Sequence, residues 1–124
     1  MLRDYGIDRY AALIASIAPD VFLCNSDEAQ LLNIDSAQPM TGAALTVIKR
    51  GALPVTAITA AGAVTEVATP PVANIVDTTG AGDAFAAGFL PVHATSHDIA
   101  QAIEHGHALA SRVLRSPGAT LDAR

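Results

Sequence analysis

The stretch Asp77-Thr78-Thr79-Gly80-Ala81-Gly82-Asp83-Ala84-Phe85 constrains this chain more than any other. Two glycines bracket Ala81, and a run that reads as a helix follows at once. The order is that of a turn opening into a helix. The first turn of such a helix exposes backbone N–H groups that lack partners and carry a partial positive charge, which makes it a seat for an anion. Asp83 stands inside that seat. A carboxylate there repels phosphate and cannot serve to grip it. It fits a base that takes a proton from a hydroxyl about to attack phosphorus. The alternative is an ordinary glycine-rich helix start with Asp83 as a first-turn acid.

The common phosphate loops do not fit. A dinucleotide fingerprint needs a third glycine three residues after the second, where Phe85 stands. A Walker loop needs Gly-Lys-Ser/Thr, which the chain lacks.

Composition narrows the partners. A length of 124 residues is one domain at most. The hydrophobic share of 51% against 15% charged is apolar for a small domain, so some faces are expected to meet a partner or a missing segment. The formal net charge is −5 and nothing basic clusters, which argues against nucleic acid and anionic membrane as partners. Cys24 is the single cysteine, so no disulfide framework is expected and a reducing cytoplasm fits. No charged-apolar-small leader and no apolar run of membrane length stands in the sequence.

Periodicity sets out the elements. Tyr10, Leu13, Ile14 and Ile17 recur at helical spacing between Asp8 and Ala18, which predicts a helix there. Val21-Phe22-Leu23-Cys24 reads as a buried strand, followed by a short helix through Leu32 capped by Asn25 or Ser26. Leu45 to Arg50 reads as a second buried strand ended by Gly51. Pro54 to Ala60 and Ala63 to Thr69 predict a hairpin turning at Ala61-Gly62. Pro70-Pro71 reads as a stiff connector, and Ala73 to Val76 leads into the glycine turn. A helix is expected over Ala81 to Leu90, ended by Pro91, and a last one from about Ser96 to Leu114, capped by Thr95 or Ser96. This alternation argues an α/β sandwich.

The run Asp77 to Phe89 resembles the C-terminal signature of the ribokinase/PfkB family of carbohydrate kinases, and Asn25-Ser26-Asp27-Glu28 resembles the family's Asn-x-x-Glu motif upstream. The flow from Tyr10 through Leu32 and the run Ala86 to Leu90 look most like the adenosine-kinase-like branch. The resemblance implies the C-terminal portion of a ribokinase-like three-layer α/β sandwich, a single partial kinase domain over residues 1–124. It implies ATP-dependent phosphorylation of a sugar or nucleoside hydroxyl. Asp83 is then the general base, and the N–H groups of Gly80, Ala81 and Gly82 form the anion hole. Asn25 and Glu28 stand near the phosphates and Mg²⁺, mostly through water; the local alternative is an N-cap plus a surface acid. Asp77 and Thr79 match positions beside a monovalent cation such as K⁺, with carbonyls from Leu114 to Ala119 completing that site; Asp77 as a turn-forming residue is the alternative. Lys49-Arg50-Gly51 resembles the strand end that touches the ATP phosphates, so Lys49 and Gly51 are candidates there. The family usually repeats a glycine where this chain has Pro54, which puts tight wrapping of phosphate in doubt. His107 aligns with a position lining the adenine pocket, with a structural helix-face histidine as the alternative. His93, His97 and His105 match no role and lack zinc spacing.

The resemblance covers nearly the whole chain but less than half of a usual family member. The acceptor-binding and lid half has no counterpart here, and Met1 opens inside a helix the family places mid-protein. The expectation is an ATP-side half that needs the other half or self-associates. A non-catalytic nucleotide-binding or interaction module is the second reading.

Overall fold

The computed structural model describes residues 2–71 and 81–114, the side chains at 2–5, 7, 113 and 114 excepted. Asp77, Thr79 and Gly80 lie outside the described residues, as do the run Ala73 to Val76 and the loop beyond Leu114. The chain divides into two compact units, residues 1–66 and 67–124.

The first unit is built on a four-stranded sheet in the order β1-β2-β3-β4, with β1 Val21–Asn25, β2 Leu45–Arg50, β3 Leu53–Thr59 and β4 Val64–Val67, the last reaching one residue past the boundary. β1 and β2 are parallel with Cys24 opposite Ile48 and Asn25 opposite Lys49. β2 and β3 are antiparallel and joined by the two-residue turn Gly51-Ala52. Gly51 has φ +63, a left-handed value that glycine adopts without the penalty of a Cβ. The β3–β4 turn falls at Ala61-Gly62 as the sequence indicated. It is closed by Thr59 N–H to Ala63 O at 2.9 Å and Gly62 N–H to Thr59 O at 2.9 Å.

Pairs along the sheet show how it is buried. Phe22, Cys24, Ile48 and Ile58 share one face and form a core with Ala29, Ile34, Met40 and Ala43. The other parity, Leu45, Val47, Val55 and Ala57, is buried as well. Two buried faces explain the near-continuous apolar reading of β2. Thr46, buried in that strand, has its hydroxyl satisfied by the Met40 N–H at 3.0 Å.

α1 (Leu2–Ile17) starts earlier than the sequence suggested and closes on Ala18 at φ +52 before Pro19. Ile14 and Ala11 pack on the core, whereas Tyr10, Leu13 and Ile17 are exposed. Periodicity marks a stripe but not which part of it finds a partner. α2 (Ser26–Leu31) forms the crossover between the parallel strands with the loop that follows it.

The second unit carries α3 (Ala81–Ser96) and α4 (Ile99–Leu114), which pack against each other. Pro91 lies inside α3 rather than at its end. A proline removes the bond to the carbonyl four residues back, here Ala87; both residues are exposed, so water can serve that carbonyl. The cap of α4 is also corrected. Asp98 Oδ1 accepts the Gln101 N–H at 3.0 Å, while the Thr95 and Ser96 hydroxyls bond back to carbonyls of α3. His97, at φ +56, turns the chain between the helices.

Candidate functional site

In the first unit, Asn25 and Glu28 are brought together as a capping box. The Asn25 side chain accepts the Glu28 N–H at 2.8 Å, and Glu28 Oε1 accepts the Asn25 N–H at 2.9 Å. Both residues are exposed. The box orders the end of β1, so the side chains stand in fixed places with one Glu28 oxygen occupied by the backbone.

Lys49 joins this group because the parallel register sets it beside Asn25. It is half-buried, and that burial lowers its pKa. Gly51 follows in the tight turn, exposed, and among the described residues nothing stands where a Cβ would be. Pro54 has a clear structural reason. From the Arg50–Leu53 pair to the Ile48–Thr56 pair, β2 advances two residues (50 − 48) and β3 three (56 − 53), so β3 bulges around Pro54-Val55. A bulge is where a strand tolerates a residue that cannot donate.

In the second unit, α3 begins at Ala81, and Asp83 sits in its first turn with its side chain exposed. Among the described residues, a Cβ placed on Gly82 would meet nothing within 4 Å. The helix tip therefore keeps, among the described residues, open space at Gly82 and an exposed carboxylate at Asp83. Ala81 is half-buried. Sixteen residues of helix stand behind this tip, so the aligned peptide dipoles favour negative charge there.

His107 is buried on α4, and its ring meets Phe85 edge-on at 5.6 Å and approaches the Thr69 hydroxyl at 3.4 Å. It also lines a cavity of about 400 Å³ together with Thr69, Pro70, Glu104, Ala108 and Ser111. Reasoning from sequence missed this wall. Its signal was present: 104, 107, 108 and 111 fall on one helical face. Pro70-Pro71, read as a connector, supplies another side of the cavity.

The residues present suit a magnesium ion held chiefly by water and phosphate oxygens. Among the described residues no group of three or more His, Cys, Asp or Glu could cage a metal. Glu28 and its neighbour Asp27 offer exposed carboxylates in the first turn of α2, as an ion that keeps most of its waters requires. No described helix is long and apolar enough to cross a membrane.

Comparison with known proteins gives the family and the fold. Residues 8–124 match the model of the pfkB family carbohydrate kinases. The adenosine kinase of Dictyostelium discoideum is 38% identical over 50 residues, 40% of this chain and 15% of that protein. The structure of adenosine kinase from Schistosoma mansoni in complex with 2-fluoroadenosine superposes with a TM-score of 0.79 at 19% identity, covering 98% of this chain and 41% of that one. Aminoimidazole riboside kinase from Salmonella enterica, solved with aminoimidazole riboside and an ATP analogue, gives 0.70 at 28% identity over 90% of this chain and 41% of that one. The chain thus spans about two-fifths of the length of these kinase structures. The fold is the α/β fold of ribokinase-like enzymes, and the chain belongs to the pfkB family of carbohydrate kinases.

Proposed function

We propose that this chain is the ATP-side part of a kinase that transfers the γ-phosphoryl group of ATP to a hydroxyl of a sugar or nucleoside. The observation that carries the reading is the exposed Asp83 in the first turn of α3, beside the open space at Gly82. Asp83 accepts the proton of the acceptor hydroxyl as that oxygen bonds to the γ-phosphorus. The bond from that phosphorus to the β–γ bridging oxygen breaks, and ADP leaves. The N–H groups of Ala81 and Gly82, with Gly80 outside the described residues, hold the charge that builds on the phosphoryl oxygens. A placed base contributes about 10²–10⁴-fold, and each such donor about 10²–10³-fold.

Lys49 is assigned to the phosphates and Gly51 to close backbone approach, while Glu28, ordered by Asn25, is assigned to the waters of Mg²⁺. A bound Mg²⁺ would offset the charge of the phosphate oxygens. His107 is assigned to one wall of the adenine site, supported by the cavity it lines. Asp77 and Thr79 are assigned to a monovalent cation such as K⁺. Adenosine is the first acceptor to test, given the similarity to adenosine kinases.

The second reading is a nucleotide-binding module without turnover. Pro54, in the β3 bulge that follows the Gly51-Ala52 turn, favours it because proline removes a donor there. Calorimetric titration with ATP, followed by assay of transfer to adenosine, ribose and fructose, separates the two. Transfer supports the kinase reading. Binding without transfer supports the module, and no binding overturns both.

A further inference from the structure

We infer that the first unit carries a second small-molecule site, on the α2 side of its sheet, suited to a phosphorylated polyhydroxyl compound of the sugar-phosphate class. Parallel strands are joined by crossovers that normally cover a sheet face with helix. Here the crossover helix has only six residues. Beside it a cavity of about 650 Å³ opens against Ile48 and Arg50. Small-ligand sites commonly span about 300–1,000 Å³.

Strand geometry separates this cavity from Lys49, the residue of β2 assigned to the ATP phosphates. Lys49 and Arg50 are consecutive in β2, so their side chains leave opposite faces of the sheet. Arg50 shares its face with Ile48, whose side chain packs with Cys24 and Ala29 on the α2 side. Lys49 shares its face with Val47.

Charge points to the ligand. Arg50 is half-buried, and among the described residues no hydrogen bond or ion pair engages its guanidinium. A partly desolvated guanidinium favours a planar or tetrahedral oxyanion that takes two of its N–H groups. Asp35 lines the same cavity but does not neutralise Arg50; its Oδ1 accepts the Ala37 N–H at 2.9 Å. Asp35 and Gln38 also exchange backbone hydrogen bonds at 3.1 Å each way, which fixes that rim. Gln30, Asn33 and Gln38 add amide donors and acceptors to the wall. A cation with a set of neutral amides and one carboxylate matches a ligand with one anionic end and several hydroxyls. The apolar floor at Ile48 suits the carbon face of such a molecule.

The test is calorimetric titration of the full chain with ribose 5-phosphate, inorganic phosphate and ribose separately. Ribose 5-phosphate is expected to bind with a Kd of about 1 mM or tighter, and each half-ligand at least about tenfold more weakly. Arg50→Ala is expected to weaken ribose 5-phosphate binding about tenfold or more. Lys49→Ala and Asp83→Asn, which bear on the kinase reading, are expected to leave it within about twofold. If Arg50→Ala does not fold by circular dichroism, Gln30→Ala with Gln38→Ala replaces it, with the same direction of effect expected. The inference is overturned if ribose 5-phosphate shows no saturable binding, if inorganic phosphate binds as tightly, if the cavity variants bind normally, or if Lys49→Ala or Asp83→Asn abolishes binding.

Discussion

Gly88 of α3 lies directly against the backbone of His105 on α4: a methyl group added at Gly88 would stand 2.5 Å from the His105 carbonyl oxygen and 3.0 Å from the Gly106 Cα. Gly106 in turn faces Phe85, whose ring would lie 2.7 Å from a Cβ there. The two helices of the second unit therefore meet glycine to backbone, and the helix that presents Asp83 is held by this contact.

Gly88→Ala is expected to destabilise the second unit by about 1–3 kcal/mol, because backbone cannot yield as a side-chain end can. Gly82→Ala is the matched control for the same helix. Among the described residues nothing stands within 4 Å of its added methyl, and alanine favours helix by about 1 kcal/mol, so stability should hold or rise. Urea denaturation of both variants reads the contrast. An equal loss in the two would contradict the packing assigned to Gly88.

Cys24 should be inert in the folded protein. Burial, with a smaller contribution from the negative charge of Glu28, pushes its pKa up from 9.0 to about 12. Thiol reagents should label it at neutral pH only on unfolding. The folded state holds the proton more tightly than the unfolded state. Stability from this group is therefore fully present below pH 9 and declines as pH rises toward about 12. Cys24→Ala should flatten that part of the stability–pH curve, and an unchanged slope would contradict the assignment.

His107→Ala is expected to weaken ATP binding by up to about tenfold through loss of ring contact with the base. Because His107 also meets Phe85 and Thr69, the variant should lose some stability too. Ser111→Ala, on the same cavity wall, serves as the milder comparison. Titration with ATP and with inorganic triphosphate distinguishes the roles. A loss confined to ATP marks the adenine wall, and an equal loss for both contradicts it.

Much of the fold was legible because local chemistry agreed with tertiary packing. β2 from Leu45 to Arg50, the turn at Ala61-Gly62 and the short helix after Asn25 were readable from apolar runs, glycine and a cap. Pro91 was misread because its cost depends on where the freed carbonyl points, which a sequence does not state. Tyr10, Leu13 and Ile17 marked α1, but their exposure was not legible because periodicity gives a face and not its partner. At the candidate site, the helix start that carries Gly82 and Asp83 was legible from the glycine spacing. The role of Gly88 was not, since a glycine needed for close approach looks like any other until α4 is placed beside it.

The most direct measurement is steady-state phosphoryl transfer from ATP to adenosine by the chain and by Asp83→Asn, with ATP affinity measured alongside. Asp83 is exposed, so the substitution should leave the fold intact while removing the proton acceptor. Turnover is expected to fall by about 10²–10⁴-fold with ATP affinity nearly unchanged. Near-normal turnover in the variant, or a native chain that takes up no ATP, would contradict the account.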